Sequence, residues 1–227
     1  MEILERIPIH LNPEEIGEKL LVNKTGNWDD FQSIFEIAET LISAKAAYEV
    51  RYVDEKLKDA VIIDGVRFVS RVMRKNLDKV GRVFPYVVTI GAGLEDRCKA
   101  TDDLLEQYYL DTIGNIALVK ARKYLDHELR SRFAFESLSF MSPGSLADWP
   151  IEEQKQLFLL FEGVERSIGV RLNDSCLMIP RKSVSGIFFP TEVTFYNCQL
   201  CPRDNCVGRK AGYNENLARE YGINVWT

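Results

Sequence analysis

The sequence predicts an α+β fold in which helices pack on a twisted antiparallel sheet, and three observations carry that expectation. Helix-period apolar patterning dominates the first two thirds of the chain. Runs with strand character gather late, beyond Gly169. No regular alternation of strand and helix points to parallel βαβ units. Neither an internal repeat, a low-complexity tract nor a clean linker divides the 227 residues. One domain over 1–227 is therefore expected, closing in a cysteine-bearing knuckle and tail at 197–227.

Asn12-Pro13-Glu14-Glu15 sets an N-cap residue, a proline at the first helical position and two first-turn acids in a row, which predicts a short helix through Leu21. From Trp28 to about Tyr48, Phe31, Ile34, Phe35, Ala38, Leu41, Ile42 and Ala46 recur mostly at three- and four-residue steps, predicting an amphipathic core helix. Ala60–Gly65 and Val83–Gly91 are rich in β-branched and aromatic residues, end in glycine and predict strands. The longest pattern spans Leu104 to Phe133, where Leu105, Tyr109, Ile113, Ala117, Ala121, Leu125 and Leu129 sustain one helical stripe. Gly114 within it costs up to about 1 kcal/mol relative to alanine, so a close packing contact is expected there. Pro150-Ile151-Glu152-Glu153 opens another helix, with Leu157, Phe158 and Phe161 as its buried side. Val170–Met178, Ser183–Phe189 and Val193–Cys198 read as strands.

An apolar share of 46% and a charged share of 28% are those of a soluble globular chain. The formal charge of −5 argues against a nucleic-acid-binding body. No apolar run approaches the roughly 20 residues of a membrane-spanning helix, and Met1–His10 carries acids where a secretory leader starts basic. A cytoplasmic chain with neither nucleic acid nor membrane as partner is the expectation. Five cysteines, Cys98, Cys176, Cys198, Cys201 and Cys206, form an odd set that suits reduced thiols or a metal better than a disulfide framework.

The stretch from Ser139 to Pro150 reads Ser-Phe-Met-Ser-Pro-Gly-Ser-Leu-Ala-Asp-Trp-Pro. Its Ser142-Pro143-Gly144-Ser145 tip lets a ligand approach the backbone, because glycine lacks a Cβ and proline fixes φ. A plain turn that sets up the next helix is the other reading. Asp148 is the stretch's one charge, and nothing in it is an obvious anchor.

Three stretches together resemble the activation domain of cobalamin-dependent methionine synthase. The first is this loop, with Ser142-Pro143-Gly144, Asp148-Trp149-Pro150 and Gln154. The second and most specific is Leu172-Asn173-Asp174-Ser175-Cys176-Leu177-Met178-Ile179-Pro180-Arg181-Lys182-Ser183-Val184-Ser185-Gly186. The third is Phe195-Tyr196, near the family's paired aromatics. Weaker similarity, such as Leu110-Asp111-Thr112-Ile113-Gly114, extends back towards residue 30. The resemblance implies a free-standing accessory component that supports reductive remethylation of cobalamin with S-adenosylmethionine. Ser142, Pro143, Gly144, Ser145 and Tyr196 would contact that cofactor. It also implies, as partner, a cobalamin-dependent methionine synthase or corrinoid protein that carries the cobalamin, served by a flavodoxin-type or ferredoxin-type electron donor.

Departures from the family pattern bear on the ligand's charged groups. Phe140 stands where the family has an arginine suited to the cofactor carboxylate, and Ser145 where it has a tyrosine. Val119, beside Lys120, falls near a family glutamate suited to the ammonium. Loss of such a charged pair costs on the order of two decades in affinity. A docking module without cofactor binding is accordingly an alternative.

Cys198-x2-Cys201-x4-Cys206 has the two-residue thiol spacing common in zinc and iron–sulfur sites. Cys176 completes a four-thiolate set if its strand lies nearby, and Cys98 is the other candidate. A metal or redox protein built on this knuckle is a further alternative, and free thiols are the plain one. Gly91-Ala92-Gly93 lacks the later glycine of a dinucleotide loop, His127 lies on a charged helix face, and no nucleophile stands at a recognisable spacing from a base, so no catalytic residue is assigned.

Overall fold

The computed structural model describes residues 1–25, 27–192, 194–203, 205–206 and 209–223, with Asn23 and Thr25 described in backbone only. In chain order, strand β1 (Glu2–Leu4) precedes helices α1 (Pro13–Lys19), α2 (Val22–Thr25) and α3 (Trp28–Leu41). Strands β2 (Lys45–Tyr48), β3 (Arg51–Lys56), β4 (Ala60–Ile63) and β5 (Val66–Val69) lead into α4 (Arg71–Asn76) and β6 (Arg82–Thr89). Next come α5 (Gly93–Ala100), α6 (Leu104–Phe133), β7 (Leu138–Met141), α7 (Gln154–Leu159) and α8 (Val164–Ile168). The hairpin β8 (Arg171–Leu172) and β9 (Met178–Ile179), then β10 (Ser183–Pro190) and α9 (Glu215–Glu220), complete the order.

The α+β expectation holds: helices pack on an antiparallel sheet whose spine is β6. One edge of β6 pairs with β10, from Phe84↔Phe188 to Thr89↔Ser183. The other edge takes β2 and then β3, which continue one another through Glu49, whose N–H donates to the Pro85 carbonyl at 3.0 Å. Both faces of β6 are covered. Phe84, Tyr86 and Val88 pack with Phe31, Phe35, Ile113 and Ala117 of the helical layer. Val83 and Val87 pack on the opposite side with Val61, Phe68, Trp149 and Leu157. A strand covered on both faces reads as a continuous apolar run, which is why Val83–Gly91 stood out in the sequence.

The long helix falls where its stripe placed it. Asp103 caps it, Oδ1 accepting from the N–H groups of Leu105 at 2.8 Å and Glu106 at 3.3 Å. A Cβ at Gly114 would lie 3.2 Å from Leu94 Cδ1 and 3.3 Å from Lys182 Cε, the close contact expected there. Among the described residues no helix is long and apolar enough to cross a membrane.

Two expectations are corrected. The helix starting at Trp28 stops at Leu41, because Lys45–Tyr48 pair with β6. Small residues such as Ala46 and Ala47 suit either period, and the waiting strand edge decides between them. Of the strands placed late, β10 stands, Val170–Met178 shortens to the two ends of a hairpin, and Asn197–Leu200 forms a 3₁₀ turn. Val193 lies outside the described residues.

A buried acid joins α5 to α6. The Glu106 carboxylate accepts from Thr101 Oγ1 at 2.7 Å and from Arg97 Nε at 2.6 Å. The Thr101 hydrogen bond first, and the Arg97 partner after it, hold its pKa below the usual carboxylate range. A depressed acid contributes stability above its unfolded pKa and loses it as pH falls through the folded value. Glu106→Gln is therefore expected to cost about 1 kcal/mol at pH 7. Urea unfolding of both proteins should show that deficit narrowing as pH drops below the ordinary glutamate range; a constant deficit would refute the ionic assignment.

Candidate functional site

β7 delivers the chain to the turn at residues 142–145. The Ser145 N–H donates to the Ser142 carbonyl at 3.2 Å, and Gly144, at φ 78°, donates to the Trp149 carbonyl at 2.8 Å. Pro143 is buried, whereas Gly144 and Ser145 are exposed, so the tip presents backbone to solvent. Asp148, which looked like no anchor, is one. Its carboxylate accepts from Ser70 Oγ at 2.5 Å and from the Val72 N–H at 2.9 Å, with Arg71 Nε at 3.5 Å, and so binds the loop to the start of α4. Trp149 beside it is fully buried, edge-on to Phe68 with ring centroids 6.3 Å apart.

The Ser-Val-Ser-Gly run forms the wall behind this turn. Ser183 Oγ donates to the Pro180 carbonyl at 2.7 Å and lies 2.9 Å from Thr89 Oγ1. Ser185 Oγ donates to Gln154 Oε1 at 3.0 Å, and Gln154 Nε2 donates to the Cys176 carbonyl at 3.3 Å, so one buried amide ties α7, β10 and the β8–β9 turn together. Gly186 lets the loop start lie flat on β10, where Ser142 Oγ also comes 3.4 Å from Tyr86 Oη. The Ser-Val-Ser-Gly run that carries the family resemblance is therefore scaffold for the turn.

The four-thiolate set is not assembled. Cys176 sits in the β8–β9 turn, Cys198 and Cys201 lie at the 3₁₀ turn, and Cys206 is exposed. Among the described residues no three His, Cys, Asp or Glu side chains group to hold a metal ion. A guanidinium holds this segment's carbonyls instead. Arg209 donates to the carbonyls of Cys198 at 3.3 Å, Cys201 at 3.3 Å and Ala211 at 3.2 Å, and also to that of Arg203. At the neck, the Asn214 N–H donates to the Gln199 carbonyl at 2.9 Å. Phe195 stacks on Tyr221 at 5.7 Å, and Lys75 Nζ meets Glu220 Oε1 at 2.5 Å, fixing α9 against α4.

This loop brings Lys210 back to the head of the turn. The Lys210 N–H donates to Cys198 Sγ at 3.4 Å, and its Nζ lies 5.0 Å from the centroid of Phe140. The Arg122 guanidinium of α6 lies 3.9 Å from the same centroid. Burial, then the charges of Arg122 and Lys123, pushes the Lys210 ammonium pKa down. Burial pushes the Asp126 carboxyl up, against Arg130 and Arg122. Tyr196 is half-buried where the chain leaves β7's edge, the Phe195 N–H donating to Ser139 Oγ at 2.7 Å. Val119 is 43% exposed. The structure thus brings Ser142, Phe140 and the Cys198 turn together with two cations that sequence reasoning did not single out. The available signal for Arg122 was a charge four residues after Leu118, at the border of the apolar stripe.

Residues 142–211, from the turn through the cysteine loop, match the family described as vitamin B12 dependent methionine synthase, activation domain. Among solved structures, the MetH reactivation domain bound to AdoHcy superposes with a TM-score of 0.56 at 14% identity, covering 77% of this chain and 68% of that one. No curated protein matches the chain. The family match covers the stretch that builds the turn and its wall, and the fold of the MetH reactivation domain extends over most of the rest of the chain.

Proposed function

We propose that this chain serves the reductive reactivation of a cobalamin-dependent methionine synthase or related corrinoid methyltransferase, binding an S-adenosylmethionine-type ligand at the 142–145 turn. The observation that carries this reading is the position of the family match, which falls on the exposed turn, its β10 wall and the loop that returns to Phe140. The exposed backbone at Gly144 and Ser145 suits the adenosyl group, as does the half-buried ring of Tyr196. When bound, such a ligand supplies a methyl group for reduced cobalamin. The chain's own residues hold and orient it. Cobalamin and a flavodoxin-type or ferredoxin-type electron donor reside with the partners, in the cytoplasm.

The test is a companion methionine synthase stripped of its own activation domain, inactivated to cob(II)alamin and supplied with reductant and S-adenosylmethionine. Turnover should return when this chain is added; no recovery with folded chain overturns the reading. A docking role without a ligand is the second reading, favoured by Phe140 and Ser145 at the family's arginine and tyrosine places. Recovery of turnover without measurable ligand binding decides for it.

A further inference from the structure

The Arg122 side chain is a largely buried cation on the central helix. It is only 8% exposed, yet none of its five N–H donors meets a hydrogen-bond acceptor or a carboxylate among the described residues. Asp126, one turn along α6, pairs with Arg130 at 3.9 Å and faces Arg122 and Lys210 through space. The Phe140 ring at 3.9 Å is its one cation–π partner. A contact of that kind contributes about 0.5 to 2 kcal/mol and leaves the guanidinium N–H groups available to a further partner. Lys210 approaches the same ring at 5.0 Å, a second cation on Phe140. Arg122 and Lys210 share the single carboxylate of Asp126 with Arg130, so this corner, at the residue that leads into Met141 and Ser142, carries an excess of positive charge that a further anion would balance. A carboxylate matches the planar fork of a guanidinium, and it is the anion that AdoHcy-type molecules carry.

We propose that Arg122, seconded by Lys210, is the anion-binding centre of the site and takes the ligand's carboxylate from the central helix, in place of the loop arginine whose position Phe140 occupies. The identity of the ligand rests on the reading above; the existence of an anion site does not. Phe140 has become the platform that holds the guanidinium, which makes the arginine-to-phenylalanine change at the loop a relocation of charge to α6.

Calorimetric titration with S-adenosylhomocysteine and with 5′-methylthioadenosine, which lacks the amino-acid carboxylate, tests the proposal. The intact protein should bind S-adenosylhomocysteine more tightly. Arg122→Met should weaken that binding by roughly tenfold to a hundredfold and leave methylthioadenosine within about twofold, erasing the preference. Because Arg122 gives up no hydrogen bond, the variant should still fold, with its melting point lowered by no more than the lost ring contact accounts for. Should it fail to fold, Lys210→Gln carries the same comparison, with a loss of about threefold to tenfold. Sulfate provides a probe independent of the adenosyl group, read as the thermal shift of parent minus variant so that general salt effects cancel. Equal affinity of S-adenosylhomocysteine for parent and variant overturns the anion centre and leaves the ligand reading standing. Arg122-dependent sulfate stabilisation without nucleoside binding does the reverse. Failure of both probes overturns both.

Discussion

Gly186→Ala should cost about 3 kcal/mol or more of unfolding free energy, although it adds a single methyl group. An alanine Cβ would fall on the Met141 carbonyl oxygen, 2.8 Å from Ser142 Oγ and 2.9 Å from Tyr86 Oη. Backbone on one side and a buried ring on the other leave nothing flexible to yield. β7 would have to part from β10 where Ile187 faces Met141, and the turn at Ser142 moves with β7. Urea unfolding and ligand titration should therefore fail together. A variant within about 1 kcal/mol of the parent would show that the strands approach less closely than described.

Trp149→Ala should be as damaging, at about 3–5 kcal/mol, since it empties the largest fully buried side chain of the second core layer. Trp149→Phe should be far milder. The indole Nε1 has no hydrogen-bond partner among the described residues, so phenylalanine removes an unsatisfied donor along with the extra volume. The comparison separates packing from polarity, because a bond hidden from view would make the two substitutions similar in cost. Thermal melts of both variants read the difference directly.

The parts legible in the sequence are those where local chemistry and tertiary demand agree. Asn12 caps its helix as its position suggests, and the stripe from Leu104 to Phe133 has one solution. Ala46 and Ala47 misled because small residues carry no period of their own. The cysteines misled for another reason. Spacing shows which thiols lie close along the chain, but Arg209, in the same loop, gathers the carbonyls of that loop, and a side chain that bonds backbone leaves no motif. Arg122 is the same lesson at the site. Its role depends on Phe140, which pattern reading treated as a loss, and only the fold places the two in contact.

The tied neck between Gln199 and Asn214 gives the cysteine loop the character of an exchangeable cassette. With both ends anchored, insertions or deletions inside it change the circuit without moving the scaffold, and doubling its length costs only about 0.6 kcal/mol in closure entropy. The reach of Lys210 towards the Phe140 ring can thus be retuned while the sheet and the central helix stay as they are.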